Sequence, residues 1–162
     1  MSEVITIKSP TRVDLAGGTL DMWPLYNFVD SATTINLAID IWTKAEIVPR
    51  QDEKIILNSL DLKKEWYFEK YEDFVNALDP QLALYQKIFK HFRSDKLIQG
   101  FSLKTSSESP IGGGIGGSSS LVISILKAIY LFTENKSATN KYDLVKLAHN
   151  IEADLLRTPT GT

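Results

Sequence analysis

Residues 109–120 read "SPIGGGIGGSSS" and run straight into "LVISILKAIYLF" at 121–132, so five glycines stand at the mouth of an apolar helix. The first amides of a helix have no internal partner, and the helix dipole favours an anion beside them. Each glycine costs about 0.5 to 1 kcal/mol relative to alanine when ordered in regular structure, so a run of five needs a compensating reason. Close backbone approach to a phosphate supplies one. A flexible connection into a helix is the competing reading of a glycine cluster taken by itself.

The better-known phosphate loops fit poorly. Gly112, Gly114 and Gly117 satisfy G-x-G-x-x-G literally, but a dinucleotide-binding fold needs a buried apolar strand before the loop and an acidic residue ending the next strand. Here "KTSSESP" precedes the loop, and Glu134 falls in the polar run "TENKS". A P-loop needs lysine directly after its last glycine, whereas Gly117 is followed by Ser118 and Ser119. A protein-kinase loop lies between two strands, and a helix follows this one.

Working outward, "GFSLKTS" just upstream alternates apolar with polar as a strand does. The same alternation runs through "EVITIK", "TRVDLA", "ATTINLAIDIWTKAEIV", "KIILNS" and "KEWYFEK", with joints at Ser9-Pro10, Gly17-Gly18 and residues 49–52. "QLALYQKIFKHF" sets Leu82, Tyr85, Ile88, Phe89 and Phe92 on one helical face. Further helices are expected at 118–132 and 141–157, the last with the stripe Leu144, Leu147, Ala148, Ile151 and Leu155. Strands early and helices late imply an α+β fold, a mixed or antiparallel twisted sheet with helices packed on one face.

Composition narrows the function classes. With 162 residues, 43% hydrophobic and 23% charged, the chain suits a single folded domain, and its net charge of -2 marks no nucleic-acid or membrane surface. The absence of cysteine rules out disulfides and thiolate metal sites, and the amino terminus has no signal-peptide pattern. The stretch from Leu121 to Phe132 is too short to cross a bilayer. A cytoplasmic location is expected.

Two further segments accompany the glycine loop: "SPTRVDLAGGTLDMWPLY" at 9–26 and "IEADLLRTPTGT" at 151–162. With "PIGGGIGGSSSL" at 110–121, they resemble in order the signatures of the GHMP small-molecule kinases, the superfamily of galactokinase, homoserine kinase and mevalonate kinase. The resemblance spans the whole chain. It implies the amino-terminal, ATP-binding domain of that superfamily over residues 1–162, a ribosomal protein S5 domain 2-like fold, and a carboxy-terminal domain absent from this chain. The double glycine before Asp21 is closer in style to the heptose-phosphate and related sugar kinases.

The resemblance also implies roles. Pro110, Gly112, Gly113, Gly114, Ile115, Gly116, Gly117, Ser118 and Ser119 would bind the nucleotide, with ATP and Mg2+ as cofactors. Ser118 and Glu152 would hold the metal, and Ser119 would replace Ser118 if the loop is shifted by one residue. Arg12 would stabilise charge on the transferring phosphate, for which a permanently charged guanidinium is suited. Gly18, Thr19 and Asp21 would contact a small-molecule acceptor, a sugar or sugar phosphate. The family's catalytic aspartate is expected just beyond Thr162, so the 162 residues alone are expected to turn over little substrate. A mevalonate-type isoprenoid kinase and a non-catalytic nucleotide- or sugar-binding module remain as alternatives.

Each of these residues has a plainer reading. Ser118 could simply cap the helix, and Asp21 could cap a short helix over "MWPLYNF". Glu152 lies about 80° around the helix from Leu144, at the border of the apolar stripe, where a carboxylate can face either solvent or a cleft. His91 and His149 read as ordinary helix residues. Trp23, Trp42 and Trp66 read as packing residues, since nothing basic is interleaved with them.

Overall fold

The computed structural model describes residues 4–18, 28, 33–92, 95–110, 112–133 and 140–156. Its strands are β1 (Ile5–Ala16), β2 (Ile35–Pro49), β3 (Ile55–Ser59), β4 (Lys64–Phe68) and β5 (Phe101–Ser107). They form one sheet in the order β1-β2-β5-β3-β4. Every pair is antiparallel except β3 with β5, which is parallel, so the sheet is mixed as expected.

The helices are α1 (Tyr71–Asn76), α2 (Ala83–His91), α3 (Asp95–Ile98), α4 (Gly117–Phe132) and α5 (Lys141–Leu156). A 3-10 turn, Pro80–Leu82, leads into α2, and Asp79 caps it by accepting from the Gln81 amide. The short α1 and α3 have too few turns to leave a periodic imprint on the sequence, and the alternation analysis does not find them.

Sheet alternation puts one face in the core. Ala45, Ile47, Ile55, Leu57, Phe101 and Leu103 are all at most 1% exposed, and they meet Val122, Ile125, Leu126 and Ile129 of α4. Phe89 of α2 stacks on Phe101 at 4.8 Å between ring centroids, and Phe74 meets both edge-on. Trp66 is a packing residue, 8% exposed, with its indole N–H donating to Asp79. The opposite face carries polar neighbours such as Lys44 and Glu46, paired at 2.8 Å, and Asn58 bonded to Glu65.

Two expectations change. The chain does not break at Ser9-Pro10; β1 is a single twelve-residue strand. β1 lies at the sheet edge, where a proline need not donate to a ladder, and the irregularity appears instead as a register shift. Pro10 pairs with Trp42 and Thr11 with Ile39, so Asp40 and Ile41 bulge out of β2. The outer halves of β1 and β2 also lack the single buried face expected of "TRVDLA": Leu15, Ile35 and Leu37 are all more than half exposed. β5 pairs with β2 only from Thr43 onward, so no third strand lies beside this ribbon among the described residues.

Candidate functional site

The glycine loop enters α4 through Gly116, which takes the left-handed conformation (φ 69°, ψ 24°) and offers no capping side chain. Ser118 is therefore not the helix cap, because the helix already begins at Gly117. The amides of the first turn stay open to an anion. A Cβ at Gly117 would lie 2.5 Å from Ser109 Oγ, so a larger residue there would displace Ser109. The loop closes on itself through the Gly113 amide, which donates to the Pro110 carbonyl at 3.0 Å.

β1 is an edge strand, so it has backbone amides to offer this loop. Arg12 N–H donates to the Ile115 carbonyl at 3.1 Å, joining the first signature to the second. Beneath it, hydroxyls pin α4 to the sheet. Ser120 Oγ donates to the carbonyls of Ser9 and Pro10 at 3.0 and 2.9 Å, and Ser124 Oγ donates to Ser9 Oγ at 2.9 Å. Thr43 Oγ1 lies 3.0 Å from both serine hydroxyls. Thr43 and Ser124 are completely buried, so this clamp holds the helix mouth on its strands without help from solvent.

Two cavities meet at the helix mouth and share Gly116. The larger, about 530 Å³, has the loop from Pro110 to Ser118 on one side and Leu62, Leu84, Tyr85 and Leu121 on the other. An anion-binding rim beside an apolar wall suits a nucleotide, whose phosphates and base need those two surfaces. Asp61 and Gln81 also line it. Asp61 is fixed by the Ser107 amide at 2.8 Å and the Ser59 hydroxyl at 3.3 Å. No motif marks Asp61, Leu62, Gln81 or Leu84, because they come from the β3–β4 connection, the 3-10 turn and α2.

The smaller cavity, about 170 Å³, lies between β1, α4 and α5 and is lined by Thr11, Arg12, Ser119, His149 and Glu152 among others. Arg12 also pairs with Asp14 at 3.5 Å, both side chains about one-third exposed. Glu152 is only 8% exposed, so of its two readings the cleft-facing one holds. Thr11 is 2% exposed and its hydroxyl has no hydrogen-bond partner among the described residues, a situation that costs about 1 to 3 kcal/mol unless something else fills it.

The expected residues therefore fall on two sides. Ser118 lines the larger cavity and Ser119 the smaller one with Glu152, so Ser118 and Glu152 do not share a cavity. Gly18 lines neither, but it packs on Asp14, where a Cβ would lie 2.9 Å from a carboxylate oxygen. Thr19, Asp21, Trp23 and all of the expected "MWPLYNF" helix except Phe28 lie outside the described residues. His149, read as an ordinary helix residue, lines the smaller cavity. Its three-residue spacing from Glu152 on one helix was the available signal. No cluster of three or more metal-binding His, Asp or Glu side chains occurs among the described residues. One carboxylate with nearby hydroxyls nonetheless fits a magnesium ion, which takes one or two carboxylates and completes its shell with water and phosphate oxygens.

Known proteins resemble this chain in sequence and fold. The family model described as GHMP kinases N terminal domain matches residues 83–162. The D-glycero-alpha-D-manno-heptose 7-phosphate kinase of Campylobacter jejuni is 34% identical over 155 residues, covering 94% of this chain and 44% of the relative. Residues 83–162 belong to the GHMP kinase amino-terminal domain family. Other members of that family lie further off. The mevalonate kinase of Methanocaldococcus jannaschii is 27% identical over 157 residues, covering 92% of this chain and 46% of the relative. The crystal structure of a D-glycero-D-manno-heptose 1-phosphate kinase from Bacteriodes thetaiotaomicron superposes with a TM-score of 0.79 at 26% identity, covering 98% of this chain and 51% of that one. The chain thus spans about half the length of the relatives it matches.

Proposed function

We propose that the full protein transfers the terminal phosphoryl group of ATP to a hydroxyl of a sugar or sugar phosphate. The observation that carries this reading is the pair of cavities meeting at Gly116, one with open helix amides and an apolar wall, the other with Arg12 and the buried Glu152. The phosphates would lie along Gly112–Gly117, with the base against Leu62, Leu84 and Tyr85. Arg12 would face the transferring group, where its charge opposes the negative charge on the equatorial oxygens. Gly18, Thr19 and Asp21 would approach the acceptor.

Glu152, with a hydroxyl of the first turn of α4, would hold magnesium, and the cavity it shares with Ser119 favours Ser119 over Ser118 for that hydroxyl. The ion would neutralise charge on the phosphate oxygens. The heptose-phosphate kinase relative favours a sugar phosphate as acceptor. The greater length of the relatives supports a second half of the protein that completes the acceptor site. No helix among the described residues is long and apolar enough to cross a membrane, in keeping with a cytoplasmic enzyme.

A second reading, an isoprenoid-type kinase, has the archaeal mevalonate kinase relative in its favour. One experiment tests both. The full-length protein is incubated with ATP, Mg2+ and a panel of heptose phosphates, other sugars and mevalonate, and ADP release is followed. Turnover on a heptose phosphate is expected. Turnover on mevalonate alone would replace the sugar reading with the second one, and ADP release with no acceptor in the panel would overturn both.

A further inference from the structure

Among the described residues lining the larger cavity, Asp61 is the only one with a charged side chain, and the charge is negative. A carboxylate accepts hydrogen bonds, donates none and repels phosphate, so its counterpart in a bound nucleotide must be an uncharged group that carries an N–H or O–H donor. Two protein groups hold it in place. The Ser107 amide donates to Oδ1 at 2.8 Å and the Ser59 hydroxyl to Oδ2 at 3.3 Å. A carboxylate offers about four lone-pair sites, so roughly half of its accepting capacity is left for a ligand.

Asp61 stands at the seam between the two surfaces of that cavity. It directly precedes Leu62 of the apolar wall, and the Ser107 that it holds accepts the Ser109 amide on its own Oγ at 3.1 Å, at the root of the glycine loop. Backbone pairing of β3 with β5 ends at Ser59 and Thr105, the Leu60 amide adds a last bond to the Thr105 carbonyl, and the Asp61 side chain then takes over as the partner of β5. In a nucleotide the ribose joins phosphates to base, so phosphates on the loop and a base on the apolar wall leave the sugar at this seam. Its hydroxyls are donors. The base of ATP carries its one donor, the 6-amino group, on a ring edge away from the sugar. We infer that Asp61 accepts a hydrogen bond from a ribose hydroxyl of the bound nucleotide, the pairing that an acidic residue makes in dinucleotide-binding folds. The assignment rests on the ATP reading above and adds to it a residue outside the three signatures.

The test is isothermal titration of the full-length protein with ATP, 2′-deoxy-ATP and 3′-deoxy-ATP, each with Mg2+ and without acceptor. In the parent at least one deoxy nucleotide should bind about tenfold more weakly than ATP, the lower end of what a hydrogen bond to a charged group contributes. In Asp61→Ala that ratio should fall to within about twofold of unity. Asp61→Asn keeps an acceptor for the Ser107 amide and should give a ratio of about threefold, since a neutral hydrogen bond is about half as strong. It also supplies the comparison if the alanine variant does not fold. The ratio separates recognition from support, because a residue that only anchors Ser107 would weaken ATP and its deoxy analogues alike.

A parent that binds all three nucleotides equally would overturn the assignment, and so would a ratio that survives in both variants. Purine riboside triphosphate, which lacks the 6-amino group, probes the other donor. If Asp61→Ala removes discrimination against this analogue and not against the deoxy nucleotides, the carboxylate reads the base and the ribose role is wrong. Failure of the nucleotide site itself looks different. If the parent binds ATP and only the deoxy ratio fails, the role of Asp61 falls alone; if the parent binds no ATP, the nucleotide reading falls and takes that role with it.

Discussion

Replacing Gly114 with alanine separates what the loop does for the fold from what it does for a nucleotide. Gly114 has φ +67°, and a Cβ added there would meet no atom within 4 Å. The free protein therefore pays only the left-handed strain of an L-residue, about 1 kcal/mol, which for a domain of this size lowers the melting temperature by roughly 2–4 °C. The open space beside Gly114 is also where a phosphate would lie, and a methyl group there should weaken ATP about a hundredfold. At an ATP concentration of about 100 times the parent's Kd, bound ligand stabilises the parent by about 2.7 kcal/mol and the variant by about 0.4 kcal/mol. The ATP-induced rise in melting temperature should shrink from roughly 5–11 °C to about 1–2 °C, measured by thermal shift with and without ATP.

Gly100→Ala is the control, because its Cβ would press within 2.9 Å of the Glu53 and Lys54 backbone, at the opposite end of β5 from the loop. It should melt much lower and yet respond to ATP in full if it folds. A Gly114→Ala protein with an undiminished ATP response would refute the phosphate-loop assignment.

The hydroxyl clamp and the acidic cap give further tests. Thr43→Val keeps the buried shape and removes the hub between Ser120 and Ser124; since both serines retain other acceptors, the loss should be about 1 to 2 kcal/mol, read as a lower urea midpoint at unchanged slope. Asp79 is held at a pKa of about 2, first by Lys64, then by the Trp66 indole and the Gln81 amide. Its folded pKa is depressed, so its contribution is present above the ordinary value of 3.8 and is lost as the pH falls toward 2. Melting curves from pH 6 to 2 should show Asp79→Asn with a flatter dependence in that window than the parent, and equal slopes would show the cap to be without weight.

The residues of the glycine loop, the alternation of the five strands and the apolar stripes of α2, α4 and α5 are legible in the sequence, because each depends on neighbours within one turn or one pleat. Glu152 could be located to the edge of its stripe from periodicity alone. Its burial could not, since that depends on β1 and the mouth of α4 closing over it. The same holds for the clamp, where Ser9 and Ser120 meet across 111 residues, and for the bond from Arg12 to the carbonyl of Ile115. A contact between distant segments leaves no period in either, so the cavity that gathers Thr11, Arg12, Ser119, His149 and Glu152 exists only once the sheet has set β1 against two helices.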